Sequence, residues 1–303
     1  MDEVSLRSYA AQNHGVIGRR EAVGFGASPS QIRNRLATGE WIRLAPAVFA
    51  IAGAPVTWMQ SARAQALSLD GLVSHRAAAY LHGIDGFRAG ILDVTVAQTR
   101  GRQRPQIRLR RSTQMHLADP QVVHSVPVTG VARTVLDVAA DVGPRRLETL
   151  VDAVLRQQMV SWADLYEVLV RHSVQGRNGC GRLRQLLDHR YGDAVIPDSR
   201  WNRMVGQLLA DSSLPEPQYE YVVCTVAGEF VARVDLAYPR QRLAIELDSV
   251  RFHLNRESFE QDARRRNRLL NEGWRVLTFT WSDYSNDPAG LIRSVRAARG
   301  QSF

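Results

Sequence analysis

The sequence of 303 residues contains no lysine, only two cysteines and no long apolar run. Without lysine, all 39 basic residues are arginines, whose guanidinium groups bind phosphate and guanine through paired hydrogen bonds. Cys180 and Cys224 have no histidines at zinc-site spacing, so we expect reduced, structural thiols. No segment approaches the roughly 20 apolar residues of a membrane helix, and the first residues lack a signal-peptide pattern. We therefore expect a cytoplasmic protein without membrane contact.

The charge balance favours a polyanionic partner. The formal net charge is +9, and a hydrophobic content of 45% is ordinary for a chain that buries a proper core. An excess of arginine indicates nucleic acid, most simply DNA. At roughly 100–200 residues per domain, the length allows two or three domains. From the patterns below we predict a multidomain chain of mixed α+β and α/β class, with domains at residues 1–52, 53–190 and 191–303.

Three helical patterns and a small hairpin occupy the first fifty residues. The helices are predicted over residues 3–13 and 19–25 and from Pro29 to Gly39, and the hairpin strands over 41–44 and 48–51. Three short helices followed by a two-stranded wing are typical of a winged helix-turn-helix. In that module the last helix enters the major groove of DNA.

The third helix carries the residue types that read base edges. Ser28 and Gln31 form a capping-box pattern that predicts where this helix begins. Gln31, Arg33, Asn34 and Arg35 follow as candidate DNA contacts, because arginine recognises guanine and Asn or Gln recognises adenine. A protein-binding module with an arginine-rich, solvated helix is the alternative interpretation.

The stretch GVIGRREAVGFGASPSQIRNRLATGEWIRLAPAVFAI resembles the N-terminal domain of AbiEi-type antitoxins of bacterial toxin–antitoxin systems. That family usually has glycine where Ala47 stands in the wing turn. The resemblance implies a DNA-binding autorepressor of a type IV toxin–antitoxin operon, with a nucleotidyltransferase-like toxin as partner.

The middle of the chain alternates helical and strand patterns. Helices are predicted over 56–69, 74–81, 131–141, 144–158, 162–172 and 180–189, and strands over 91–97, 106–111 and 126–129. The segments VSHRAAAYLHGID and VPVTGVARTVLDVAA again resemble AbiEi-like antitoxins, which implies an antitoxin-like α/β region. His75 and His82 are seven residues apart without a carboxylate at ligand spacing, so we expect packing or capping roles. A basic run could contact phosphate or could be solvated: Arg100, Arg102, Arg104, Arg108, Arg110 and Arg111.

A hairpin in the last third gathers carboxylates. If the turn is centred between Arg240 and Gln241, antiparallel pairing places Asp235 opposite Glu246, and alternation puts Asp248 on the same face. Oxygen ligands of this kind suit a hard divalent cation such as Mg²⁺. The alternative is an ordinary solvated face with cross-strand ion pairs.

The hairpin lies in a predicted order of helix, three strands, helix, strand and helix. The motifs VDLAYP, IELDS, DARRRNRLL and GWRVLTF resemble bacterial domains related to very short patch repair endonucleases, within the PD-(D/E)XK nuclease superfamily. The resemblance implies Mg²⁺- or Mn²⁺-dependent DNA cleavage. Asp235, Glu246 and Asp248 would hold the metal and His253 would act as general base. Two arginines of the following helix, Arg265 and Arg268, would contact DNA phosphate.

Two departures from the nuclease-like pattern bear on the functional hypotheses. The family commonly has glutamate on the first helix of this domain, where Asn202 stands here, and glycine where Ser249 stands. The loss of a carboxylate weakens metal binding or water activation. The main hypothesis is therefore a metal-dependent DNA endonuclease or a protein derived from one. The alternative is an AbiEi-type antitoxin and autorepressor whose nuclease-like domain is inert.

Overall fold

The computed structural model of the protein describes residues 1–98, 106–172, 179–191, 197–248 and 256–300, without the side chains of 256–263. The chain divides into two compact units, residues 1–188 and 189–303. In the described residues, the first unit contains two sheets and the second unit contains one, and each unit has its own buried side chains. Within the described ranges, no helix has the length and apolar character needed to cross a membrane.

The first unit opens with three helices and a three-stranded sheet. The elements are α1 (Glu3–Gln12), β1 (Val16–Gly18), α2 (Arg19–Gly24), α3 (Pro29–Ala37), β2 (Trp41–Ala45) and β3 (Val48–Ile51). The strands are antiparallel in the order β1-β3-β2. The predicted helices and hairpin are confirmed, but strand β1 was not predicted. Three residues are too few for an alternation pattern, and β1 exists because it pairs with β3.

Helix α3 begins where the sequence predicts. The Ser28 hydroxyl accepts a hydrogen bond from the Gln31 backbone N–H at 3.2 Å, and the Gln31 side chain accepts one from the Ser28 N–H at 2.8 Å. This reciprocal cap satisfies two donors at the helix start. At the turn between β2 and β3, Ala47 has φ +58°, the left-handed region that favours glycine.

The rest of the first unit is a five-stranded sheet with helices. Its elements are α4 (Trp58–Leu69), β4 (Leu72–Val73), α5 (His75–Leu81), β5 (Leu92–Val96), β6 (Ile107–Arg111), β7 (Pro120–Val123), β8 (Val126–Thr129), α6 (Val131–Asp141), α7 (Pro144–Arg156), α8 (Trp162–Arg171) and α9 (Cys180–Tyr191). The strand order is β6-β5-β4-β8-β7, and the pairs β5–β6 and β4–β8 are parallel. Strands β4 and β7 were not predicted, because β4 has two residues and β7 is largely exposed.

The second unit has the predicted element order with one further short helix. Its elements are α10 (Asp198–Asp211), β9 (Gln218–Cys224), β10 (Phe230–Tyr238), β11 (Leu243–Asp248), α11 (Arg256–Asn271), β12 (Arg275–Thr280), α12 (Trp281–Asn286) and α13 (Pro288–Gly300). The sheet order is β12-β11-β10-β9, with β11 and β12 parallel. Its core includes Val231, Val234, Leu269 and Trp274.

The predicted register of the β10–β11 hairpin is confirmed. Leu236 pairs with Ile245 and Ala237 pairs with Ala244. A single 3₁₀ turn, Pro239–Gln241, joins the strands. Continuing the same register brings Asp235 to the level of Glu246, at the end of the hairpin far from the turn.

Candidate functional site

The four predicted DNA contacts on α3 differ in whether their side chains are free to bind DNA or are already engaged within the protein. The side chains of Arg33 and Asn34 are exposed, and neither has a hydrogen-bond or ion-pair partner within the described part of the chain. Both can therefore donate to a base edge without breaking a contact inside the protein. Gln31 is exposed as well, but its carbonyl oxygen already caps the helix.

Arg35 belongs to the internal structure of this module. Its guanidinium binds Glu3 at 2.5 Å and Glu40 at 2.8 Å, and it lies 5.8 Å from the centre of the Trp41 ring. These contacts join α1, α3 and β2. Sequence reasoning grouped Arg35 with Arg33 because both are arginines of one helix, whereas its carboxylate partners lie outside that helix, Glu3 on α1 and Glu40 just after α3.

A buried arginine connects the helices of the first module, which comprises α1 to β3 (residues 3–51), to the five-stranded sheet. Arg63 of α4 is 5% exposed and donates to Glu21 of α2 at 2.9 Å and to the Tyr9 hydroxyl of α1 at 2.6 Å. It also donates to the carbonyl of Ser125, in the turn between β7 and β8. Burial, with a hydrogen bond to Glu21, raises the pKa of Tyr9 to about 12, so the phenol keeps its proton.

The middle of the first unit contains a buried polar network. Arg133 and Asp137 of α6 form an ion pair with 2.9 Å between Nε and Oδ1, and His75 Nδ1 lies 4.0 Å from Asp137 Oδ2. His172 Nε2 lies 3.5 Å from Arg133 Nη1 and 2.9 Å from the Leu117 carbonyl. Burial lowers the pKa of His75, which keeps the ring neutral.

The expected packing and capping roles of the two histidines are confirmed. His75 is buried at the first position of α5, and His82 ends that helix with Nε2 2.7 Å from the Thr129 carbonyl. Of the basic run, Arg110 binds Asp93 at 3.0 Å. Arg100, Arg102 and Arg104 lie outside the described residues.

In the second unit, Asp235 and Glu246 lie on the neighbouring strands β10 and β11. Asp235 Oδ2 accepts a hydrogen bond from the Leu247 N–H at 2.9 Å, and Glu246 Oε1 lies 2.8 Å from Nη2 of Arg265. Burial is the main cause that raises the pKa of Asp235, and the negative charge of Glu220 raises it further. The hydrogen bond from the Leu247 N–H and the positive charge of Arg265 lower it, but the pKa stays above its usual value. Asp248, the last residue of β11, is half-buried.

Glu220 of β9 is a third carboxylate beside Asp235, and sequence reasoning missed it. The β9–β10 register pairs Tyr221 with Val234 and Tyr219 with Leu236, so Glu220 falls opposite Asp235. Counting outward from the turn that follows Cys224 would have missed it, because a register shift between Phe230 and Ala232 moves the pairing by one residue. Its left-handed φ of +49° is unusual within a strand.

Glu220 is held by side chains from two elements. Asn202 of α10 donates to Glu220 Oε1 at 2.6 Å, and Arg233 Nε lies 3.2 Å from Glu220 Oε2. Asn202 is buried and serves as a donor to this carboxylate. Arg233 of β10 therefore forms a cross-strand ion pair with Glu220 of β9.

The described carboxylates do not by themselves form a site for Mg²⁺ or Mn²⁺. Within residues 1–98, 106–172, 179–191, 197–248 and 264–300, no three His, Cys, Asp or Glu side chains come together in an arrangement that could hold a metal ion. Glu246 is bound to a guanidinium instead. His253, the predicted general base, lies outside the described residues, and Arg268 is exposed on α11.

Comparison with known proteins identifies one region of the chain. Residues 71–189 match the model of the AbiEi antitoxin C-terminal domain, and both middle segments that resemble antitoxins lie within this range. Two uncharacterized proteins of Mycobacterium tuberculosis are 30% identical over 168 residues. That match spans 55% of this chain and 59% of each relative, so the chain covers less than two thirds of the relatives' length.

Proposed function

We propose that the protein is an antitoxin-type regulator that binds DNA through helix α3 and counteracts a toxin through the region around residues 71–189. The match of those residues to the AbiEi antitoxin C-terminal domain carries the proposal. An antitoxin domain implies a toxin as its counterpart. Because Arg63 connects that domain to the module containing α3, one rigid unit would serve both roles.

Three observations support DNA binding by the first module. Its order α1-β1-α2-α3-β2-β3 is typical of a winged helix-turn-helix, in which α3 would be the recognition helix. On the exposed side of that helix, the side chains of Arg33 and Asn34 have donors with no partner among the residues that the structure describes. The net charge of +9 favours association with a polyanion.

We expect Arg33→Ala to weaken binding to the protein's own promoter by about 10- to 100-fold, since one good contact of arginine to guanine is worth roughly 1–3 kcal/mol. The stability of the fold should not change, because Arg33 has no partner within the described residues. Fluorescence anisotropy with promoter DNA at fixed salt measures the affinity, and urea unfolding measures the stability.

Arg156→Ala is the matched control, because it removes an equally positive and exposed side chain on α7. It should leave promoter affinity within about twofold of wild type. If Arg33→Ala weakens binding to promoter and to scrambled DNA equally, Arg33 contacts phosphate rather than bases, and recognition through α3 is wrong.

The partner that we propose is a nucleotidyltransferase-like toxin encoded in the same operon. Autorepression and toxin control would then be two activities of one regulator, as the antitoxin-like domain suggests. Co-expression with such a toxin should restore growth. Continued toxicity at full expression of this chain would contradict the pairing.

A metal-dependent DNA endonuclease is the second candidate function. The observation that favours it is the position of Asp235 and Glu246 on adjacent strands of a unit that begins helix, three strands, helix, strand. Supercoiled plasmid with Mg²⁺ or Mn²⁺ should then be cut by the wild-type protein. Asp235→Ala and His253→Ala should abolish the cutting. An uncut plasmid with intact DNA binding would leave only the regulatory role.

A further inference from the structure

Three carboxylates on neighbouring strands of the second unit, Glu220, Asp235 and Glu246, are compensated by groups of the chain itself. Glu246 is bound by Arg265, and Glu220 by Arg233 and Asn202. Asp235 accepts the backbone N–H of Leu247. Carboxylates on neighbouring strands repel one another unless positive charge lies nearby, and arginine supplies that charge here.

Arg265 is held on both strands of the hairpin. Its Nη2 lies 2.8 Å from Glu246 Oε1 on β11 and 2.7 Å from the backbone oxygen of Arg233 on β10. The side chain reaches this position from α11 and is about one-third exposed, at 34%. Nη2 donates a hydrogen bond to the Arg233 oxygen and forms an ion pair with Glu246, and the guanidinium cannot be neutralised by deprotonation.

We propose that Arg265 is the built-in counter-ion of the Asp235–Glu246 pair and keeps divalent cations away from it. A cation and the guanidinium compete for the same carboxylate oxygen and repel each other at that distance. The ion pair between Arg265 and Glu246 therefore has to break before Mn²⁺ can bind. This inference does not depend on the antitoxin role, and it argues against metal-dependent cleavage while the ion pair is in place.

Calorimetric titration of the full chain with Mn²⁺ tests the proposal directly. We expect Arg265→Gln, which removes the charge and keeps much of the length, to bind Mn²⁺ at least tenfold more tightly than wild type. Arg265→Lys, which keeps the charge, should remain close to wild type. Arg266→Ala is the matched control, because Arg266 is an exposed neighbour on the same helix.

A second substitution locates the bound ion. Adding Glu246→Gln to Arg265→Gln should return the affinity to the wild-type level, because the uncovered oxygen is then no longer a carboxylate. Circular dichroism establishes that each variant is folded before titration. Equal Mn²⁺ affinity in wild type and Arg265→Gln, or no binding by either, overturns the proposal. Because DNA cleavage and promoter binding are not measured, these results stand apart from the proposed function.

Discussion

Replacing Arg133 with methionine is expected to lower the free energy of unfolding by about 3–5 kcal/mol, the cost of removing one partner of a buried ion pair. Arg133 is 2% exposed and Asp137 is 5% exposed, and 2.9 Å separates their nitrogen and oxygen atoms. Methionine fills much of the same volume, so the loss comes from the buried carboxylate and not from a cavity.

Urea unfolding of the variant and of two controls measures this cost. Arg156→Met breaks the ion pair between Arg156 and Asp85, whose side chains are 66% and 63% exposed respectively. Because this pair is solvated, the substitution should change the free energy of unfolding by less than about 1 kcal/mol. The double variant Arg133→Met with Asp137→Leu should be more stable than Arg133→Met alone, because no charge remains buried. A loss below about 1 kcal/mol for the single variant would contradict the argument.

Arg63→Met is expected to cost about 2–4 kcal/mol, because it leaves Glu21, the Tyr9 hydroxyl and the Ser125 carbonyl without their shared donor. The expected loss of stability is smaller than for Arg133→Met because the Glu21 side chain is 24% exposed and stays partly hydrated. Since these contacts join the first module to the five-stranded sheet, that module should also melt separately from the rest of the first unit.

Scanning calorimetry of the full-length Arg63→Met variant shows whether a separate unfolding transition appears. Tyr9→Phe is the graded control, because it removes one hydroxyl and leaves the ion pair of Arg63 with Glu21 in place. It should cost about 1 kcal/mol and add no transition. If Arg63→Met and Tyr9→Phe behave alike, the guanidinium does not hold the junction together.

Local patterns predicted much of the fold. Ser28 and Gln31 are close enough in sequence to specify the start of α3, and both hydrogen bonds of the cap are present. The β10–β11 register followed from a short turn and an alternating pattern. Each of these features depends on residues a few positions apart, so the sequence carries the information directly.

Other features depend on partners that are distant in the chain. Strand β1 forms because β3 lies beside it, and the Arg35 guanidinium is occupied because Glu3, 32 residues away, binds it. Glu220 comes beside Asp235 through the β9–β10 register. No spacing rule links these residues, since their separation along the chain is set by intervening elements and not by a helical or strand period.

The sequence by itself determined the residue chemistry, the capped helix with Arg33 and Asn34, the carboxylate hairpin and the antitoxin-like segments, because these rest on local order and side-chain type. Only the tertiary structure decided which charges meet. It buried Arg63 and Arg133 against carboxylates and brought Arg265 to Glu246. Electrostatic pairing depends on distance and on exclusion of water, and packing of remote elements creates both.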